Sequence, residues 1–231
     1  MAGDSPRCNV HRVMVLFSPR AAVLAVNFAS MESEPGHPRF ASRGRAYVYV
    51  LPCRDEDALK VGFSRDPFTR FHDLHRRFFD FFDLDRGMLV AVDYVKEARR
   101  IERALIKEFA ADRCMAPLVV REAAAGKTEW YRGVSAAVHE QAARLAGEGG
   151  HQVTAPLRPW LLGRIRERAD ALYDWSGRLH DMARDARVHG ADASDIERVL
   201  LDTLDMCDRI GLAVDAHVSA EVARWYRFGG R

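Results

Sequence analysis

Three observations predict an α+β chain with a helical C-terminal part. Short β-branched and aromatic runs alternate with amphipathic segments of helical period up to about residue 146. A glycine-rich break follows, and beyond it only helical stripes recur. A composition of 48% hydrophobic and 29% charged residues is that of a chain able to bury a core. The order β-β-α-β-α predicts a small three-stranded mixed or antiparallel sheet flanked by helices over residues 45–146. A linker is expected at 147–158, a helical C-terminal domain at 159–231, and a flexible N-terminal extension at 1–44.

Each element has a local reason. In the extension, the turn-rich Ser33-Glu34-Pro35-Gly36-His37-Pro38 follows Met31, so residues 1–30 are expected to lie upstream of the functional domain. Ala46 to Leu51 is short, β-branched and aromatic, and Leu59 to Phe63 repeats the pattern after the acidic turn Asp55-Glu56-Asp57, which reads as a hairpin. Asp66-Pro67 supplies an N-cap and a first-turn proline, and Phe68, Phe71, Leu74 and Phe78 continue at helical spacing to about Phe79. Met88 to Val95 is the third strand. Lys96 to Ala111 is a helix striped by Ala98, Ile101, Leu105 and Phe109. Asp112 to Gly126 reads as loop, with a short strand open at Leu118-Val119-Val120, and Val134 to Ala146 as a further helix. Gly147-Glu148-Gly149-Gly150 breaks the chain. Pro159 to Val188 carries one long stripe, Ser194 and Glu197 open a helix in capping-box spacing, and Ser219 to Phe228 closes the chain.

The charge balance, Lys+Arg 35 against Asp+Glu 33, leaves a formal +2, so attraction to nucleic acid has to come from local clusters. Two exist: Arg65, Arg70, His72, His75, Arg76 and Arg77, and then Arg99, Arg100, Arg103 and Lys107. Cys8, Cys53, Cys114 and Cys207 are scattered without metal-ligand spacing, which argues against a zinc site and a disulfide framework and favours a reducing cytoplasm. Ser18-Pro19-Arg20 interrupts the apolar runs near the start, where a secretory core should run unbroken for about 7–15 residues. No stretch approaches the ~18 apolar residues of a membrane span.

Tyr47 and Tyr49 share one face of the first strand, and Val48 and Val50 the other. Taken singly, the polar residues near this hairpin have ordinary readings: aromatic strand cover, a solvated Lys60, a bulge glycine at Gly62, an exposed helix face at Arg99, Arg103 and Lys107. Arg70 and Arg77 sit at the margin of the Phe68, Phe71, Leu74, Phe78 stripe, where an arginine has a packed stem and a projecting guanidinium. Glu102 falls between its helix's apolar stripe and the basic row. Phe78-Phe79 and Phe81-Phe82 are expected in the core.

As a set, Tyr47-Val48-Tyr49, Lys60-Val61-Gly62, Arg70 and Glu102 resemble in order and spacing the GIY-YIG nuclease family, over roughly residues 45–132. Lys60 stands where many members have tyrosine, a departure shared with some of them. Glu129-Trp130-Tyr131 resembles the acidic-aromatic tripeptide of a phage and bacterial subgroup. The resemblance implies a metal-dependent endonuclease hydrolysing phosphodiester bonds. In it Tyr49 with Lys60 activates water, Arg70 stabilises phosphorane charge, and Glu102 holds Mg²⁺ or Mn²⁺. Tyr47, Gly62, Arg77, Arg99, Arg103 and Lys107 are then expected to contact nucleic acid, with DNA favoured over RNA and Gly62 admitting the substrate backbone. Glu129 is either a second acid at the metal or a partner of Arg70. Phe63 stands where a basic residue often follows the motif, which keeps open a binding module without catalysis. A protein-interaction scaffold, pairing or self-associating through the C-terminal helices, is the third class.

Overall fold

The structure, a computed structural model, describes residues 43–121, 126 and 128–229. The expected extension over residues 1–44, including the proposed start at Met31, lies outside the described residues apart from 43 and 44. Cys8, Glu122 to Ala125 and Lys127 lie outside them too.

A five-stranded antiparallel sheet in the order β4-β2-β1-β3-β5 organises the chain. Strands β1 (Arg43–Pro52) and β2 (Ala58–Ser64) form the expected hairpin, with Tyr49 opposite Gly62 and Leu51 opposite Lys60. Strand β3 (Met88–Tyr94) pairs with the other edge of β1. The expected three strands are here, and two more extend the sheet: β4 (Trp130–Arg132) on β2 and β5 (Gln152–Thr154) on β3. Three residues are too few for alternation to show, and backbone pairing with a preformed edge holds them. β5 lies where a linker is expected. Leu118 and Val119 stand in a turn and are exposed, and no strand forms there.

Helix α1 (Pro67–Leu74) begins as its sequence predicts. Asp66 caps it, accepting from the Thr69 backbone N–H at 3.2 Å and the Thr69 hydroxyl at 2.8 Å. The helix stops at His75, which is extended, and a single turn α2 (Phe78–Phe81) follows. One continuous helix to Phe79 would spread the phenylalanines around the cylinder. The break instead buries Phe78, Phe79 and Phe82 together. Helix α3 (Val95–Glu108) packs Val95, Ala98, Ile101 and Leu105 on the sheet face made by Val48, Val50, Val61 and Val90, and α4 (Ser135–Glu148) adds Val138, Ala142 and Ala146 there.

The opposite sheet face, with Tyr49, Leu51, Leu89 and Trp130, is covered by α1, α2 and the C-terminal helices, all in one apolar cluster. Those helices are α5 (Leu157–Arg166), α6 (Ala169–Val188), α7 (Ser194–Ile210) and α8 (Ala220–Phe228). The expected long stripe from Pro159 is therefore two helices. Ser194 is the first residue of α7 rather than its cap, and its N–H and hydroxyl both donate to Asp192 at 2.9 Å. Among the described residues no helix is long and apolar enough to cross a membrane.

Candidate functional site

The site is built on the β1–β2 hairpin. Tyr49 faces Gly62 across the ladder, and its ring lies over that glycine: a Cβ on Gly62 would stand 2.3 Å from the Tyr49 Oη. The space expected for a substrate backbone is thus filled by the phenol, because only glycine leaves room for the ring. Phe71 of α1 packs edge-on against the same ring, centroids 5.5 Å apart, and Arg70 Nε donates to Tyr49 Oη at 3.4 Å. Burial raises the phenol's pKa, and the Arg70 guanidinium opposes that shift only in part. Tyr49, expected to activate water with Lys60, is a buried phenol in contact with Arg70. A protonated, enclosed phenol holds the arginine in place.

Lys60 is 1% exposed, one of very few buried polar residues among those described. Its Nζ donates to Glu129 Oε2 at 3.1 Å and lies 5.5 Å from the centre of the Trp130 ring. Lys60 and Trp130 are paired across β2 and β4, and Val61 N–H donates to the Glu129 carbonyl at 2.9 Å, so backbone pairing sets this ion pair. Burial lowers the lysine's pKa, with Glu129 acting in the other direction. Lys60, which the sequence placed beside Tyr49, is thus paired with Glu129.

Gly126 closes over the pair. Its φ is +69°, and a Cβ there would meet Glu129 Oε2 and come within 3.1 Å of Lys60 Nζ. Nothing in the sequence marked this glycine, since what it accommodates is a side chain packed against it in space.

Glu102, on α3, is half-buried, and its carboxyl is pushed up to about 7 by burial first and then by the charge of Glu129; Lys60, Arg103 and Arg99 pull the other way. Tyr49, Lys60, Arg70, Glu102 and Glu129 therefore share one electrostatic field: Glu102 and Glu129 act on both Tyr49 and Lys60, and Arg70 does the same. Two carboxylates stand against a single buried lysine.

The expected nucleic-acid contacts fall into three groups. Arg99 lies over the Phe63 ring at 5.6 Å, so a cation occupies the position where Phe63 departs from the basic residue expected there, and Arg103 and Lys107 are exposed on the same helix. Tyr47 is half-buried and packs edge-on against Trp160 of α5. Arg77 is corrected: its guanidinium is spent on Asp80 and Asp202, each at 2.8 Å, and Asp205 at 3.0 Å. His72, counted in the first basic cluster, is packed edge-on against Phe68 and Phe78, and burial lowers its pKa to about 4, which leaves it uncharged at neutral pH. His180, Asp181 and Glu221 also bring metal-type ligand atoms together, on α6 and α8, but Arg184 pairs with Asp181 there at 3.0 Å and the group is a solvated ion-pair cluster.

Compared with known proteins, residues 46–146 match the family model of the T5orf172 domain. This corrects the expected family: T5orf172 is a family distinct from the GIY-YIG nucleases, to which nothing connects the chain beyond its short motifs. A few residues at loose spacing describe a constellation that unrelated chains reach, whereas a family model weighs the whole domain. No curated protein and no solved structure matches the chain. A T5orf172 domain is consistent with a nucleic-acid-related activity.

Proposed function

We propose that the domain hydrolyses nucleic-acid phosphodiester bonds with the help of a divalent cation. One observation carries the reading: a buried lysine, an arginine fixed by a buried phenol, and two carboxylates converge in a single field. A structural ion pair would need only Lys60 and Glu129. The added Glu102, half-buried and repelled by Glu129, brings a second carboxylate to the ion pair, and an oxygen-donor set of that kind suits a hard cation. Mg²⁺ or Mn²⁺ held by Glu102, with Glu129 beside it, would supply positive charge to the phosphate oxygens.

The chain's own groups supply the rest. Arg70 binds the phosphate and stabilises the charge that builds in the transition state, with its Nε held by Tyr49. Glu129, oriented by Lys60 Nζ, takes the proton of the attacking water. Arg99, Arg103 and Lys107 hold the flanking backbone by charge, with DNA favoured over RNA.

The test is nicking of supercoiled plasmid by the purified protein with Mg²⁺ or Mn²⁺. Nicked product that disappears with EDTA is expected. Absence of cleavage with either ion, while low-salt DNA binding remains, would replace the reading by a binding module on the same fold.

A further inference from the structure

Arg99, Arg103 and Lys107 recur at four-residue steps along α3 and are exposed, and none of the three forms an ion pair among the described residues. An exposed side chain of this length samples many rotamers, and binding a phosphate has to fix it at a cost in conformational entropy. Arg99 alone of the three is already held, with its guanidinium over the Phe63 ring, 5.6 Å from the centroid. Phe63 shares the β2 face of Val61 and packs against the core on the α3 side. It is only half-buried, so part of the ring remains for a cation. The residue before it is Gly62, whose space holds the Tyr49 phenol. Glu102 follows Arg99 by three residues, the spacing of neighbouring side chains on one helix face, and the charge of Arg99 opposes the upward shift of the Glu102 carboxyl.

We infer that Phe63 is a positioning residue, which holds the Arg99 guanidinium for a phosphate beside the one cleaved at Glu102. The assignment rests on the proposed phosphodiester chemistry at Arg70 and Glu102. Stacked on a ring, a guanidinium gives its face to the aromatic and leaves its N–H edge for phosphate oxygens in paired hydrogen bonds. Arg103 and Lys107, held by no ring, add charge without a fixed direction. With Arg70 on one phosphate and Arg99 on the next, two fixed guanidinium groups orient the strand, which a row of free charges does not.

The experiment measures binding of a short DNA duplex over a range of salt concentrations in EDTA. It uses the wild-type protein, Arg99→Gln, Phe63→Leu, Phe63→Tyr, and Phe63→Leu combined with Arg99→Gln. Arg99→Gln should weaken binding and reduce the salt slope by roughly 1. Phe63→Leu keeps apolar packing and loses the ring, and should weaken binding by about threefold, the worth of an exposed cation–π contact. Phe63→Tyr, which keeps the ring, should bind as the wild type does. Once Arg99 is replaced, Phe63→Leu should have no further effect, since it acts through that guanidinium. An equal loss from Phe63→Leu with and without Arg99 overturns the inference, being the mark of a packing role. So does wild-type binding by Phe63→Leu. An unchanged salt slope in Arg99→Gln, an exposed change that leaves the core intact, overturns it even where Phe63→Leu fails to fold. A wild type that never cleaves but shows the Phe63–Arg99 coupling would leave this assignment standing and remove only the hydrolytic reading. Cleavage without the coupling would do the reverse, and a wild type that does not bind at low salt overturns both.

Discussion

Glu102 and Arg70 have different proposed tasks and should fail differently. Glu102→Gln keeps the shape and removes the charge that holds the cation, so cleavage should fall by orders of magnitude while nucleic-acid binding persists or tightens; gel shifts beside a nicking assay read both. Arg70→Ala should lose cleavage together with one phosphate contact, reducing the salt slope of binding by roughly 1. Glu102 also predicts a pH effect in the metal-free protein. Its carboxyl rises from an ordinary value of 4.5 to about 7 on folding, so its contribution is full below pH 4.5 and is lost as pH rises through about 7. The loss amounts to roughly 1–2 kcal/mol once screening at its exposed edge is allowed for. In EDTA, Glu102→Gln should therefore melt above the wild type at pH 8 and close to it at pH 4.5. A gap unchanged across that range would show that Glu102 is an ordinary solvated carboxylate. Gly62→Ala should cost roughly 1–3 kcal/mol in denaturant unfolding, since the new methyl meets the Tyr49 phenol.

The elements meet most tightly where α1 breaks. Arg77 donates to Asp80, Asp202 and Asp205, Arg76 pairs with Asp202 at 2.8 Å, and the Tyr226 hydroxyl donates to Asp205 at 2.9 Å. This network ties the turn after the Arg70 helix to α7 and α8. Asp202 and Asp205 are mostly covered, so removing the guanidinium leaves only Arg76 on Asp202 and the Tyr226 hydroxyl on Asp205 to compensate two partly desolvated carboxylates. Arg77→Ala should cost about 1–3 kcal/mol, below the value for a fully buried pair because water reaches the cluster. It should also lower cleavage by loosening α1, an effect that Asp202→Asn reproduces in milder form. Thermal melts at low and at 1 M salt are the measurement, and the wild-type advantage should narrow in high salt. The broken helix is also why Arg77, placed with Arg70 by a helical wheel, faces the C-terminal helices.

In the molecule as a whole, one apolar cluster joins the Tyr49 face of the sheet to Leu157, Leu161 and Leu204 of the C-terminal helices. A chain ending at Gly150 should consequently melt well below the full chain and bind ANS, because it lacks β5 and bares that face; an unchanged melt would show that the sheet domain stands alone. Much of the architecture was legible in the residues. Short β-branched and aromatic runs marked β1, β2 and β3, the Asp66-Pro67 cap marked α1, and the stripe of α3 marked its buried side, since these signals are local. Tyr49, Lys60, Arg70 and Glu102 were legible as a set for the same reason, residue type at a spacing. Their relations were not legible. That Lys60 is buried against Glu129, that Gly62 houses a phenol, that Gly126 closes over the ion pair, and that Trp160 reaches Tyr47 all depend on segments distant in the chain meeting across β4 and α5. Three-residue strands and side-chain contacts leave no periodic trace, and the burial that shifts a proton or engages a guanidinium exists only after those segments have packed.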